Sequence, residues 1–297
     1  MDLPRRTVLL IGLGTLATGC ASSNSPERST APTTPTTPTT SATPATSGTA
    51  APSPKAAPLP AIRRWAASPN DKAPECKTVA VRHIERAGTS ATTATEVIDA
   101  QYGGLIADSA SVLVVTRSWR RTATRLVAGG RTFDVRLTRH GSTWRVDAVH
   151  PSTPGAPLAR PSALARRVLT SERIDLPPAA RADVQAGTIH TSVLVALLAL
   201  ARSHQFGVSV LRSGHPLHVF GTDRLSDHPQ GRAFDTWRID GHAVVDPRTS
   251  RALVTEYMHA AAAAGSYNVG GPYLLGSAPQ WFSDDTHHDH VHAGFAT

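Results

Sequence analysis

The sequence predicts an α+β chain whose last part is a small antiparallel sheet with flanking helices, preceded by a smaller α+β domain. Three observations carry that prediction. Apolar and polar residues alternate in short runs near 111–120, 131–137, 142–149 and 231–239, which is the period of strands. Runs with helical character, such as Thr191 to His204, stand beside them. Proline-rich stretches at 21–60 and 151–160 divide the chain.

The first 20 residues read as a secretory signal. Arg5 and Arg6 form a basic head, and an apolar run of 11 residues follows from Thr7 to Ala17. That run is too short to span a bilayer, which takes about 20 residues. Ala17-Thr18-Gly19-Cys20 then places a cysteine directly after small residues, which resembles a bacterial lipobox with Cys20 as the lipid-modified residue. The paired arginines also permit the twin-arginine route, and a plain cleaved signal is the competing reading. Residues 21–60 form a stalk in which 34 of 40 are Ala, Ser, Thr or Pro. Such a segment has too little large apolar side chain to form a core, and its prolines keep it extended. The chain is therefore expected to be exported and held by a lipid anchor at the outer face of the cytoplasmic membrane or wall.

Residues 61–150 read as a small basic α+β domain. A helix is expected over Thr93 to Asp108, with Val97, Ile98, Tyr102, Leu105 and Ile106 near one face, followed by an antiparallel meander. Gly129-Gly130 and Gly141 mark its turns. The order of elements resembles the cone-shaped nuclear-transport-factor-like domains. This segment holds 14 Lys+Arg against 8 Asp+Glu, a surplus of +6 within the chain's +8. A surplus of that kind favours polyanions. In an exported chain those are anionic wall polymers and lipid head groups, and nucleic acid is excluded by the same context. Only three of the 30 basic residues are lysines, a bias of GC-rich genomes that points to an actinobacterial source. With Cys20 consumed by lipid, Cys76 has no partner in the chain and is expected to be a small buried apolar residue. His83, His140 and His150 are scattered and expected at the surface. A spacer or docking role follows for this domain.

Residues 151–160 read as a linker, and residues 161–297 as the last domain. Pro177-Pro178 starts a helix that Gly187 ends. Thr191 to His204 is apolar almost all round and so buried on most sides. Val208 to Leu211 is a short strand. Gly231 to Ile239 is a second, turned at Asp240-Gly241 into His242 to Val245. Thr249 to Ala264 is a helix ended by Gly265, and Asp289 to Ala296 is the final strand.

Eleven of the 14 histidines lie at or beyond His190. His190, His204, His242 and His259 stand alone and are expected at the surface. The informative set is Ser226-Asp227-His228-Pro229-Gln230-Gly231-Arg232-Ala233-Phe234-Asp235 together with Asp289-His290-Val291-His292. Residues two apart on a strand share a face. Antiparallel pairing of the two strands brings His228, Asp235 and His292 around one point, with Gly231 and Ala233 leaving room beside the carboxylate. Two imidazoles, one carboxylate and an open fourth position form a catalytic zinc arrangement. A histidine-rich tail that binds metal adventitiously is the competing reading.

Ser-x-His-x-x-Gly-Arg-Ala-x-Asp and Asp-His-Val-His-x-Gly-Phe resemble the two motifs of the zinc D-alanyl-D-alanine peptidases. That superfamily joins lysostaphin-type enzymes, D-Ala-D-Ala peptidases and the hedgehog signalling domain. The resemblance covers about 160–297. It implies a D-Ala-D-Ala peptidase-like fold and one Zn2+ per chain, held by His228, Asp235 and His292. It implies Asp289 or His290 as the acid/base, Arg212 for oxyanion stabilisation and Ser226 for substrate contact. Asp289 stands where many members carry glutamate. The implied substrates are peptidoglycan stem peptides, cut as a D,D- or L,D-carboxypeptidase or endopeptidase. A catalytically silent wall- or partner-binding lipoprotein that keeps the fold is the alternative.

Overall fold

The computed structural model describes residues 57–296. The expected signal peptide, Cys20 and residues 21–56 of the expected stalk lie outside the described residues. Among the described residues the fold is mixed α+β, with two sheets and five α-helices. No described helix is long and apolar enough to cross a membrane.

The first sheet follows helix α1 (Pro74–Gly88) and comprises β1 (Thr93–Ile106), β2 (Ser109–Arg121), β3 (Leu126–Gly129), β4 (Thr132–His140) and β5 (Thr143–Pro151). Its order is β1-β2-β4-β5, with β3 paired to β2, and every pairing is antiparallel. Helix α1 opens with Pro74 and Glu75 and carries Arg86 in its last turn, each suited to its end of the helix dipole. It lays Cys76, Ala80 and Ile84, four residues apart, onto the sheet, where they join Tyr102, Val112, Val114, Val135, Leu137 and Trp144 in one core. Cys76 is fully buried and has no disulfide partner among the described residues, and burial pushes its thiol pKa up to about 12.

The helix expected over Thr93 to Asp108 is instead the strand β1. Two bulges explain the misleading pattern: the β1–β2 register shifts between Val97 and Asp99 and again between Tyr102 and Gly104. Each bulge inserts one residue and resets the alternation of faces. Apolar residues then recur at mixed spacing and imitate a helix. The β-branched Thr93, Thr95, Val97 and Ile98 and the pair Gly103-Gly104 are the strand signal in that run. The helix that precedes the meander is α1.

The second sheet is built from β6 (Ile174–Asp175), β7 (Phe206–Val210), β8 (Ala233–Ile239), β9 (His242–Ala243), β10 (Asn268–Gly270), β11 (Trp281–Phe282) and β12 (Val291–Gly294). Its order is β11-β10-β12-β8-β7-β6, with β9 on β8. The centre is antiparallel as expected, but the edge pairs β10–β11 and β6–β7 are parallel, so the sheet is mixed. Helices α2 (Ala163–Thr170), α3 (Pro178–Gln185), α4 (Thr191–Leu200) and α5 (Arg251–Ala263) cover it. Val193, Leu197 and Leu200 of α4 meet Phe206, Phe234, Tyr257 and Phe295 in the second core.

All described residues belong to one compact unit. Residues 152–160 carry no regular secondary structure, yet they are held in place. Ser152 N–H donates to the Thr132 carbonyl at 2.7 Å, and Leu158 N–H donates to Gln185 at 2.9 Å. At Gly104 of β1, an added Cβ would lie 2.1 Å from the side chain of Phe220, so that strand approaches the 215–227 loop more closely than any other residue type allows.

Candidate metal centre

The second sheet places the site by register. β12 runs antiparallel to β8, and His292 sits directly opposite Asp235. Phe234 and Val291, next to them in sequence, face the core and are fully buried. His228 comes from a single 3-10 turn, His228–Gln230, just before β8. Gly231 ends that turn at φ 70°, where a Cβ would also meet the Thr188 carbonyl at 2.1 Å. Only glycine fits both demands.

Three donor atoms converge. His228 Nε2 lies 3.2 Å from Asp235 Oδ1 and 3.2 Å from His292 Nδ1, and His292 Nδ1 lies 2.9 Å from Asp235 Oδ1. His228 Nδ1–H donates to the Leu211 carbonyl at 2.8 Å. A carbonyl only accepts, so this bond fixes the tautomer and leaves Nε2 with its lone pair toward the centre. Burial brings the His292 pKa down to about 4, which keeps its imidazole neutral. Burial opposes the charge of Asp235, but the surrounding histidines, His228 first, outweigh it and hold the carboxyl well below its ordinary range. A neutral His292 imidazole beside an ionised Asp235 carboxylate suits a divalent cation.

His215 adds a donor that sequence reasoning missed. With His228 and Asp235 it forms a trio whose ligand atoms lie within 4.8 Å of one another. Its ring stacks on that of His228, with centroids 4.1 Å apart. Its Nδ1–H donates to the Pro216 carbonyl at 2.9 Å, which again frees Nε2. The available signal was its position at the exit of β7, beside Gly214 at φ 91°. The donor set is nitrogen and oxygen, and Cys76, the one described cysteine, lies in the other core. This composition suits an open, catalytic zinc site better than a closed structural one.

The histidine cluster of 287–292 disperses. His287 Nδ1 pairs with Asp284 at 2.7 Å. His288 accepts from Lys72 N–H, just before α1, at 2.9 Å. His290 Nδ1–H donates to Asp289 Oδ1 at 2.6 Å, and its Nε2 faces the centre, 3.8 Å from Asp235. Only His292 joins Asp235 and His228 directly.

Asp289 lies outside the strand, since β12 begins at Val291, but its side chain does not face the centre. Its Oδ2 accepts from Tyr102 N–H at 3.1 Å and pairs with the buried ammonium of Lys77 at 2.6 Å. Lys77 also pairs with Asp71. Burial works against the Asp289 charge, but Lys77 outweighs it and lowers the carboxyl below its usual range. For His290 burial likewise opposes the charge, and Asp235 together with the Asp289 bond raises its pKa. Asp71, His288 and Asp289 also bring donors within 4.8 Å of one another, but there the cation is Lys77 itself.

The centre lies in a cleft of about 330 Å³, within the usual range for small-ligand pockets. Tyr102 and Gly103 of the first sheet form one wall, and Phe220, Arg224, Phe282 and His290 are among the others. Ser226 lines the cleft and accepts from His228 N–H at 3.4 Å. Arg212 is not among the lining residues. Its Nε–H donates to the Pro229 carbonyl at 3.2 Å, so the arginine of the cleft is Arg224.

Of the histidines expected alone at the surface, His242 and His259 are exposed and His190 accepts from Ser192 N–H at the start of α4. His204 departs from expectation: it is buried and pairs with Asp240 at 2.9 Å. No family model, no curated protein and no solved structure matches this chain.

Proposed function

We propose that the chain is an exported zinc-dependent peptidase that hydrolyses peptidoglycan stem peptides. The observation that carries this reading is the convergence of His228, Asp235 and His292 in an open cleft beside a histidine whose far nitrogen is bound by a carboxylate. The second sheet and its helices then stand as a D-Ala-D-Ala peptidase-like unit, and the first as a nuclear-transport-factor-like one. The motif spacing, the basic head and Cys20 support the substrate class, the export and the lipid anchor. Exposed Arg82, Arg86, Arg120, Arg121 and Arg145 on the first sheet and its helix support contact with anionic wall polymers.

His228, Asp235 and His292 would hold one Zn2+. When bound, the ion lowers the pKa of a water towards about 7 and polarises the scissile carbonyl. His290 presents Nε2 to the cleft, while Asp289 fixes Nδ1–H and Lys77 fixes Asp289. In this reading a bound cation would offset the carboxylates that raise the His290 pKa, and His290 takes the proton from the attacking water and returns it to the leaving amine as the C–N bond breaks. Asp289 is a positioning residue, since both its oxygens are already bound. Arg224 is the cleft's cation for a substrate carboxylate or developing oxyanion.

The same locked Asp289 favours a second reading, a silent wall- or partner-binding lipoprotein, because the position assigned to a catalytic carboxylate has no free oxygen facing the cleft. Zinc content tests the metal centre that both readings share. The parent is expected to carry one zinc per chain and His228→Ala, Asp235→Ala or His292→Ala to lose it, whereas His204→Ala keeps it. Parent-level zinc in His228→Ala would remove that residue from the site.

A further inference from the structure

We infer that Gln101, on the first sheet, is a positioning residue for the metal ligand Asp235, so that the first sheet is a working half of the centre rather than a spacer. The inference rests on the metal reading above. Asp235 turns Oδ1 to the three imidazole nitrogens of His228, His290 and His292, at 3.2, 3.8 and 2.9 Å. Its other oxygen, Oδ2, accepts from Gln101 Nε2 at 2.6 Å. The Gln101 orientation follows from chemistry. A carboxylate only accepts, so the amide must turn its NH2 to Asp235. The Gln101 carbonyl oxygen then faces the Ser209 hydroxyl, which donates to it. Ser209 belongs to β7, next to β8, and the side chains of Gln101, Ser209 and Asp235 are all buried.

This chain of bonds has a consequence for ligand geometry. With Oδ2 occupied, Asp235 offers one oxygen to a cation and cannot swing to chelate with both. Removing the donor leaves a buried carboxylate oxygen without a partner. It also frees the carboxylate to rotate away from the imidazoles. Outer hydrogen bonds of this kind orient metal ligands, and losing one typically costs 10–100-fold in metal affinity. Gln101 reaches this position because β1 carries a bulge on each side of it, at Val97/Asp99 and Tyr102/Gly104, which sets the strand's face toward the cleft.

The test is zinc affinity by chelator competition on the full chain, with cobalt substitution as a second readout. Gln101→Met, close in shape but without the donor, is expected to bind zinc about 10–100-fold more weakly. Its cobalt form is expected to show altered visible absorption, which a purely structural role would not produce while far-UV circular dichroism is unchanged. Lys72→Ala, which removes only the exposed Lys72–Asp285 pair across the same two sheets, is expected to bind as the parent does. If Gln101→Met does not fold, Ser209→Ala, which leaves the donor but loosens it, is expected to weaken zinc several-fold. Parent-like zinc affinity and cobalt spectrum in a folded Gln101→Met, or in Ser209→Ala where it is the one that folds, would overturn the inference alone. A parent that takes up no zinc would overturn the metal centre and this inference with it.

Discussion

The ammonium of Lys77 lies 2.6 Å from Asp289 Oδ2, and neither side chain is more than 2% exposed. This pair ties α1 to Asp289, two residues before β12, and it neutralises a carboxylate that orients His290. Two charges taken out of water are stable only with each other. Lys77→Met is therefore expected to cost about 3–5 kcal/mol, the usual loss when one partner of a buried pair is removed. Urea unfolding measures it, and a loss under about 1 kcal/mol would show that the pair is not closed in solution.

Proton transfer separates His290 from Asp289. Metal-loaded His290→Gln is expected to lose about 10²-fold or more in turnover, as for a general acid–base group. Asp289→Asn removes the charge that orients His290 and is expected to lose activity less steeply. The comparison is made on a purified stem peptide with both variants at equal zinc content. A larger loss in Asp289→Asn would return the proton to the carboxylate.

How much of this was legible follows from which contacts are local. The Asp240-Gly241 hairpin, the helix ends at Gly187 and Gly265, and the alternation through Asp235 are written in neighbouring residues, and the structure has them. The approach of Asp235 and His292 was readable because strand period fixes which residues share a face, whereas His228 joins them from a 3-10 turn that this period does not place. Gln101 and Lys77 were not readable. They reach Asp235 and Asp289 over 134 and 212 positions of sequence, across two sheets whose packing no local pattern encodes. His215 was missed because it lies on a loop without period. β1 was misread because its bulges gave it the spacing of a helix.

Asp183 gives the stability a pH dependence. It is fully buried, with Oδ2 accepting from Ser213 N–H at 2.8 Å and Oδ1 without a partner among the described residues. Burial raises its pKa, only partly offset by those bonds and by the facing Arg212. A carboxyl whose folded pKa is raised contributes stability that is present at low pH and lost as pH rises through the folded value. Asp183→Asn is expected to flatten that fall, so its stability relative to the parent improves between acid and neutral pH. Chemical unfolding of both proteins across that window measures it, and parallel pH profiles would contradict it.

Hydrolysis at the proposed zinc centre is the step on which the proposed function stands. Its direct measurement is digestion of purified muropeptides by the zinc-loaded full chain, followed by mass spectrometry of the products. The expected result is stem peptides shortened at one bond, no product after chelation, and product again when zinc is restored. Intact muropeptides with a fully zinc-loaded parent would contradict it and leave the binding-protein reading in its place.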